Sequence, residues 1–320
     1  MSLHHNTARA HAMHNNKITA NLLALTVGLL TASMAAEATE NGRPTTTFGV
    51  YDFGAGITPP PSKFGTLSVR TGYYSADVLK DSHGNRSKND FSLDLWSISA
   101  AYFRMTEHQL FGARYGFGGV LPFFKMDAEL DMQTPVGKQT LKAAPFRMAD
   151  AVLIPLILQW DVSPNLFVNT SFAVTAPTGD YDKNRLVSPG TNYWTFSPAA
   201  NFTYISDTGF EVSSSFQLDF NTRNHATDYK SGVEYRHEFA VGQHVGPWTV
   251  GLGGFYYRQL TDDDAPNLDT GNRSQAVALG PAVAFFEPGK PVVNMHLYKE
   301  FDARNRTEGY TFALRVSQSF

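Results

Sequence analysis

Nine titratable or charged side chains are spaced so that extended chain would turn them to one polar face: Arg70, Glu211, Asp219, Glu234, Arg236, Glu238, His296, Glu300 and Arg315. In a strand, residues i and i+2 share a face. Glu234, Arg236 and Glu238 alternate in sign along such a row. Opposed charges there can form a self-satisfying, salt-bridged wall, or they can contact a molecule passing along it. Both roles stay open at this level. Catalysis would need more. Beyond the leader the chain has six histidines, His83, His108, His225, His237, His244 and His296. Only His296 falls on a polar face, in phase with Asn294 and Glu300; the others fall in loops, in turns or on apolar phases. No GxSxG elbow or HExxH helix occurs, so His296 with a nearby serine is the sole foothold for a lipid hydrolase. A protein without catalytic residues or cofactor is the expectation. Thr261-Asp-Asp-Asp264, with Asn267 and Asp269, offers oxygen ligands that calcium could take. It lacks the spacing and central Gly of an EF-hand loop, so no metal site is expected and a solvated loop is the simpler reading.

The elements that would position those charges are strands with one apolar face. In Tyr310–Phe320, Tyr310, Phe312, Leu314, Val316 and Phe320 share one face, and Thr311, Ala313, Arg315, Ser317 and Ser319 share the other. In 209–221, Phe210, Val212, Phe216, Leu218 and Phe220 oppose Glu211, Ser213, Ser215, Gln217 and Asp219. In 273–287, Val277, Leu279, Val283 and Phe285 oppose Ala276, Ala278, Gly280 and Ala282. Twelve such strands are expected, at 65–77, 91–105, 110–129, 148–161, 166–178, 191–205, 209–221, 228–240, 246–260, 273–287, 291–302 and 308–320. The strands at 110–129 and 148–161 alternate poorly. Pro122, Pro155, Pro198 and Pro281 lie inside expected strands, where each removes a ladder donor and predicts a bulge or kink. Short connections (106–109, 161–165, 206–208, 241–245, 287–290) alternate with long polar ones (79–90, 130–147, 179–190, 222–227, 261–272). Even strand number, apolar-out alternation and one-sided long loops predict an all-β, antiparallel transmembrane barrel of the outer-membrane type. A terminal aromatic, Phe320, fits a barrel-assembly signal read by the assembly machinery.

The compartment follows from the first residues. Ile18–Leu30 is a short apolar run after Lys17, and Thr31-Ala-Ser-Met-Ala-Ala36 supplies small residues for cleavage after Ala35 or Ala36, so 1–36 reads as a signal peptide. The run is too short to span a bilayer as a helix, which needs ~20 residues. The absence of cysteine fits passage through an oxidising periplasm. Net charge is −3, and losing Arg9 and Lys17 with the leader makes it more acidic. With no basic stripe, nucleic acid is not an expected partner. The longest apolar run beyond the leader is Ala151–Leu158, so any membrane crossing must be made by strands. The 24 Phe and 14 Tyr are enough for aromatic girdles at two interfaces.

Residues 37–64 precede the first strand. They include Phe48-Gly-Val-Tyr-Asp-Phe-Gly-Ala-Gly-Ile-Thr-Pro-Pro-Pro61, rich in Gly, Pro and aromatics with little charge. Such a stretch is a poor solvated tail and a poor strand. Packed in the lumen as a plug it would bury Phe48, Tyr51 and Phe53 and, with Pro60, line a ligand path. The competing reading is a disordered periplasmic leader. A barrel of about twelve strands is too wide for its own side chains to fill, so water, plug or ligand must occupy it.

Several stretches, in this order, resemble the phenol-degradation "meta" family of outer-membrane proteins, related to the SphA-like barrels. They are the Gly/aromatic segment through Pro59-Pro-Pro61, Ala176-Pro-Thr-Gly-Asp-Tyr181, Asn192-Tyr-Trp-Thr-Phe-Ser-Pro198, Tyr229-Lys-Ser-Gly-Val-Glu234, Gln259-Leu-Thr-Asp-Asp263, Gly280-Pro281 and Lys299-Glu-Phe-Asp-Ala-Arg304 with Gly309. The resemblance spans roughly residues 45–320. It implies a channel in the bacterial outer membrane, in contact with lipid and lipopolysaccharide, that takes up small hydrophobic, aromatic compounds. It implies no catalytic residues. A structural or loop-binding barrel that transports nothing is the alternative.

Overall fold

The computed structural model describes residues 39–40, 47–87, 89–134, 137–266, 268 and 272–320. The expected signal peptide at 1–36 lies outside them. The strands are β1 (Thr66–Lys80), β2 (Asp90–Leu110), β3 (Ala113–Thr134), β4 (Gly137–Ala143), β5 (Phe146–Met148), β6 (Val152–Ser163) and β7 (Leu166–Thr175). They continue as β8 (Thr195–Ile205), β9 (Phe210–Asn221), β10 (Glu234–Val245), β11 (Trp248–Gln259), β12 (Gln275–Phe285), β13 (Val292–Arg304) and β14 (Arg306–Ser319). All pairings are antiparallel. β1 pairs with both β2 and β14, β2 with β3, and β3 with β6, so twelve strands close a ring. The short β4 and β5 lie against the outer half of β3 and are not part of the ring.

Alternation explains the closure. Leu67, Val69, Phe210, Phe216, Phe220, Val250, Leu252, Leu279, Leu297, Tyr310, Phe312 and Val316 are exposed, while their strand neighbours Glu211, Ser213, Ser215, Thr249, Ala278, His296 and Thr311 are buried. An apolar outer belt around a polar interior inverts a water-soluble core and suits a lipid surround. In lipid only helices and closed barrels satisfy every backbone group. No helix of the described residues is long and apolar enough to cross a membrane.

Several expected boundaries move, each for a backbone reason. The turn expected at 106–109 falls at Phe111-Gly112, both at positive φ (53° and 74°). That geometry is a two-residue hairpin turn, which carries β2 through His108. The strand expected at 228–240 starts only at Glu234. Asp228 is left-handed (φ 56°), and Tyr229 and Lys230 make isolated bridges to Asn224 and Asp264. The following turn shifts from 241–245 to Gly246-Pro247, where Gly246 has φ 59°. The expected loop 130–147 carries β4. Of the four prolines, Pro155 lies at a register shift between Leu153 and Leu156, whereas Pro122, Pro198 and Pro281 stay in register with Ser99, Phe172 and Leu252.

Candidate functional site

The inner faces of β1, β6–β11, β13 and β14 converge on residues 47–58. Glu238 on β10 makes the largest set of contacts: its carboxylate accepts the N–H groups of Gly49, Val50 and Tyr51 at 2.9, 2.9 and 2.6 Å. Guanidiniums take the carbonyls. Arg236 donates to Thr47 O (2.6 Å), Arg70 to Phe48 O and Gly49 O (3.1 and 3.0 Å), and Arg315 to Val50 O (2.8 Å). Further along, Gly54 N–H donates to Glu211 (2.7 Å) and Ser213 (3.0 Å), Gly56 N–H to Thr203 (2.8 Å) and Thr58 N–H to Gln159 (3.1 Å). Asn169 donates to Ala55 O at 2.9 Å. A segment without regular structure leaves its peptide groups unpaired, and a buried unpaired group costs ~1–3 kcal/mol. Strand side chains supply the missing partners here.

Side chains of the segment are seated as well. Asp52 accepts from Tyr298 OH (2.9 Å) and lies 3.0 Å from His296 Nδ1. Phe53 packs on Gly242 of β10, where a Cβ would come within 2.6 Å of the ring. Gly49 has φ 67° and faces His296, and a Cβ there would lie 2.5 Å from Nε2. Any side chain at 49 would therefore be strained twice. Phe48 stacks on Phe255 (4.4 Å, 22°) and tilts against Tyr257 (4.9 Å, 56°). Two guanidinium carbons approach the same ring, Arg306 at 4.9 Å and Arg236 at 5.3 Å.

At the other end of the segment the long loops hold Thr39 and Glu40. Thr39 N–H donates to Asp263 (2.8 Å), and Glu40 accepts from Tyr181, Asn224 and Thr227 (3.2, 2.8 and 2.7 Å). Phe64 N–H donates to Phe320 O at 3.1 Å, beside the start of β1. Thr39 and Glu40 thus lie at the long-loop rim, and Phe64 at the short-turn rim.

All nine charges singled out from sequence lie on inner faces. Arg70, Glu211, Arg236, Glu238, His296 and Arg315 meet the segment. Asp219 pairs with Arg236 (2.7 Å), Glu300 with Arg306 (2.8 Å), and Glu234 accepts from Tyr257 OH (2.9 Å). Phe48 and Phe53 are buried, Tyr51 is half-buried, and Pro60 is exposed, away from the rest. The exposed Phe320 closes the β1–β14 seam through Gly65. Among the histidines, His244 also reaches an inner carboxylate, 2.7 Å from Glu211, contrary to its expected place in a turn. The serine that a hydrolase would need beside His296 is replaced by Asp52 and Gly49. In the 261–269 run, Asp262 and Asp264 pair with Arg273 and Arg223, and Asp263 serves Thr39, Gln259 and Tyr229. No metal-binding cluster occurs among the described residues; Asn267 and Asp269 lie outside them. Sequence reasoning passed over Asp52 and Arg306. Asp52 carried a signal, as the sole acid of its Gly/Pro/aromatic stretch; Arg306 carried none, since it fell in an expected turn.

Comparison with curated proteins gives no match. Among solved structures, the COG4313 outer membrane channel of Pseudomonas putida F1 aligns with TM-score 0.67 at 16% identity, covering 86% of this chain and all of that one. The β domain of the Bordetella autotransporter BrkA aligns at TM-score 0.46 and 14% identity, over 81% of this chain and 100% of its own. The CymD monoaromatic hydrocarbon channel aligns at TM-score 0.42 and 12% identity, over 90% and 98%. The P. putida likeness shows the twelve-stranded barrel fold. The model of the family described as the MetA-pathway of phenol degradation matches residues 76–316, so the chain, a bacterial outer-membrane β-barrel, belongs to that family.

Proposed function

We propose that the protein is a channel for passive uptake of small hydrophobic, aromatic compounds, with residues 47–64 as a plug that passage must displace. The observation that carries this reading is the way the inner charges are used. Glu238, Glu211, Arg70, Arg236 and Arg315 bind the segment rather than line an open aqueous pore. Hydrogen bonds to charged groups are individually worth ~1.5–3 kcal/mol net, and these can be exchanged one at a time, unlike the ladders of the wall. The family's link to phenol degradation and the P. putida neighbour's description as a channel support the same reading. Phe320 is assigned to barrel assembly and residues 1–36 to export. The test is uptake of radiolabelled phenol, alkylbenzenes and long-chain fatty acids by cells with and without the gene, beside a variant lacking residues 40–61. Saturable uptake of one class, altered by the deletion, supports the channel. No difference for any class, with the barrel shown to be folded by heat-modifiable gel mobility, overturns it.

One observation favours a second reading, a loop-binding barrel. β2 has 21 residues and β3 has 22, against the ~10 a strand needs to cross, so both stand well beyond the membrane with β4 alongside. The same uptake experiment separates the two.

A further inference from the structure

The outward face of β9–β11 carries two polar side chains that the barrel itself leaves incomplete. His237 lies on the lipid side of β10, between Tyr235 and Phe239. Its imidazole stacks on Phe216 (4.5 Å, 7°) and tilts against Phe239 (5.6 Å, 42°). Nε2 is 3.0 Å from Ser214 Oγ, and Nδ1 has no hydrogen-bond partner among the described residues. Ionisable side chains within membrane spans are rare, almost always turn inward and mark functional sites. A polar ring atom left bare in hydrocarbon is costly. His237 is the fourth residue of β10 from its long-loop end, so it sits ~10 Å down a tilted strand. At that depth the polar atoms a lipid offers are the carbonyls and hydroxyls where its acyl chains join its head. Arg258 stands above, exposed, as the penultimate residue of β11, and is bonded to no described residue. Other arginines near this rim are matched, Arg223 by Asp228 and Asp264, and Arg273 by Asp262. Arg258 pairs in register with Tyr235 and His237 with Tyr256, so the two rows are ~7 Å apart along the strand. Tyr235 and Tyr256 meet edge to face there (6.3 Å, 62°). No acid shares this face, because Glu211, Asp219, Glu234 and Glu238 are buried inward.

We propose that Arg258 and His237 form a binding site for one phosphorylated, acylated sugar lipid of the outer leaflet, the lipid A part of lipopolysaccharide. The phosphate would sit on the unmatched Arg258 guanidinium, and an ester, amide or hydroxyl oxygen of an acyl chain would accept from His237 Nδ1. The chains themselves would lie over Phe216 and Phe239. Ser214 sets the tautomer this requires: a hydroxyl that donates to Nε2 leaves the proton on Nδ1, free for a lipid acceptor. The site is an open face of the outer belt and needs no cavity. It differs from the contact every barrel makes with surrounding lipid in having polar partners at two fixed heights. A zwitterionic phospholipid fits it less well, because its ammonium would meet a cation and find no acid on this face. The inference needs the outer-membrane location and is independent of the channel reading.

The experiment is native mass spectrometry of the full-length barrel in detergent, titrated in turn with lipid A, dephosphorylated lipid A and phosphatidylethanolamine. The expected result is one lipid A per barrel, held ~10-fold tighter than either other probe, the scale of one hydrogen bond to a charged group. Arg258→Gln should lose that factor and no longer distinguish lipid A from its dephosphorylated form, while Arg258→Lys should keep most of it. His237→Leu should weaken both forms alike, by about 3- to 10-fold, since the imidazole meets the acyl attachment and not the phosphate. Arg273→Gln, at an arginine already matched by Asp262, should change nothing. Equal retention of all three probes by the wild type overturns the proposal and leaves unspecific lipid contact. Selective binding of lipid A that survives both Arg258→Gln and His237→Leu overturns it as well, because the site then lies elsewhere. If Arg258→Gln fails the heat-modifiability test for folding, His237→Leu, which places an apolar side chain on a lipid face, is read by the same criteria.

Discussion

Two walls of this barrel obey different rules on their inner faces. On β8, β9, β10 and β13 the interior is largely polar: Thr195, Ser197, Asn201, Glu211, Asp219, Glu234, Glu238, Asn294, His296 and Glu300 are buried, while β11 and β12 between them turn Phe255, Tyr257, Ala276, Ala278, Ala282 and Ala284 inward. On the outer half of β3 the inward residues are Phe124, Met126, Ala128 and Leu130, and the first three pack in one cluster with Leu93 and Leu95 of β2 and with Leu186 and Val187 of the β7–β8 loop. The difference follows from what each wall must hold. The polar wall faces a peptide segment that has no ladder of its own and needs donors and acceptors. The apolar wall faces side chains at the tip of a loop that is tethered at its base. Asp150 accepts from Gly179 N–H (2.8 Å) and from Thr191 N–H and Oγ1 (both 2.7 Å). At its base that loop draws partners from Asp150 and from Met148 O, to which Asp180 N–H donates at 2.9 Å, and its tip meets the wall through apolar side chains.

The largest effect that would break this contrast is expected at Glu238. Glu238→Ala removes the acceptor of three segment N–H groups at once, and each buried orphan costs ~1–3 kcal/mol. The expected outcome is a segment released from the lumen while the barrel stays closed. Planar-bilayer recordings should show a step up in conductance, with faster amide exchange at 48–56. Unchanged conductance and exchange would mean that the polar wall is not what retains the segment. Next comes the lipid face. Leu252→Arg, midway along β11, should cost ~2–4 kcal/mol in unfolding from liposomes, while Phe146→Arg on β5, outside the ring, should cost almost nothing. Similar costs at both positions would show the outer belt to be misplaced.

The apolar wall predicts a smaller and local change. Val187→Ser removes one half of a contact, and a fully buried valine is worth about 1.5–3 kcal/mol. Exchange at 183–189 should quicken without a change in barrel melting, since the loop base remains on Asp150. A lowered melting temperature would mean that the loop tip supports the barrel itself.

The same contrast sets how much could be read from sequence. β9, β12 and β14 were legible because one face meets lipid and the other meets polar partners, so period-two alternation has a physical cause along their whole length. β3 and β6 were not, because Phe124 and Met126 face other apolar groups, Leu93, Leu95 and Val187 among them, and Ile157 and Leu158 are both buried beside a register shift. The start of β10 was missed because Tyr229 and Val233 keep the alternation while Asp228 turns the chain. The polar partners of the segment were legible as lumen charges, but their use was not. Nothing local in Glu238 says that its acceptors go to three consecutive amides at residues 49–51, far away in sequence.

The smallest effect lies in the β1–β2 loop, which shares neither wall. The Asp81 carboxylate accepts the amides of Asn85 and His83, both at 2.8 Å, and these bonds, that from Asn85 foremost, hold its pKa below the ordinary aspartate value. A carboxylate depressed in the folded state stabilises its turn above the ordinary aspartate pKa and loses that contribution as pH falls through the folded value. The chain has no cysteine, so Ser82→Cys places a single spin label on the turn. Its mobility should be low and constant at neutral pH and rise on acidification below the ordinary aspartate range. With Asp81→Asn the acid-dependent rise should vanish. A label equally mobile at all pH values in the otherwise native chain would show that the turn is held by its Lys80–Arg86 bridge instead. In that case its order would owe nothing to charge, in contrast to the segment inside the barrel.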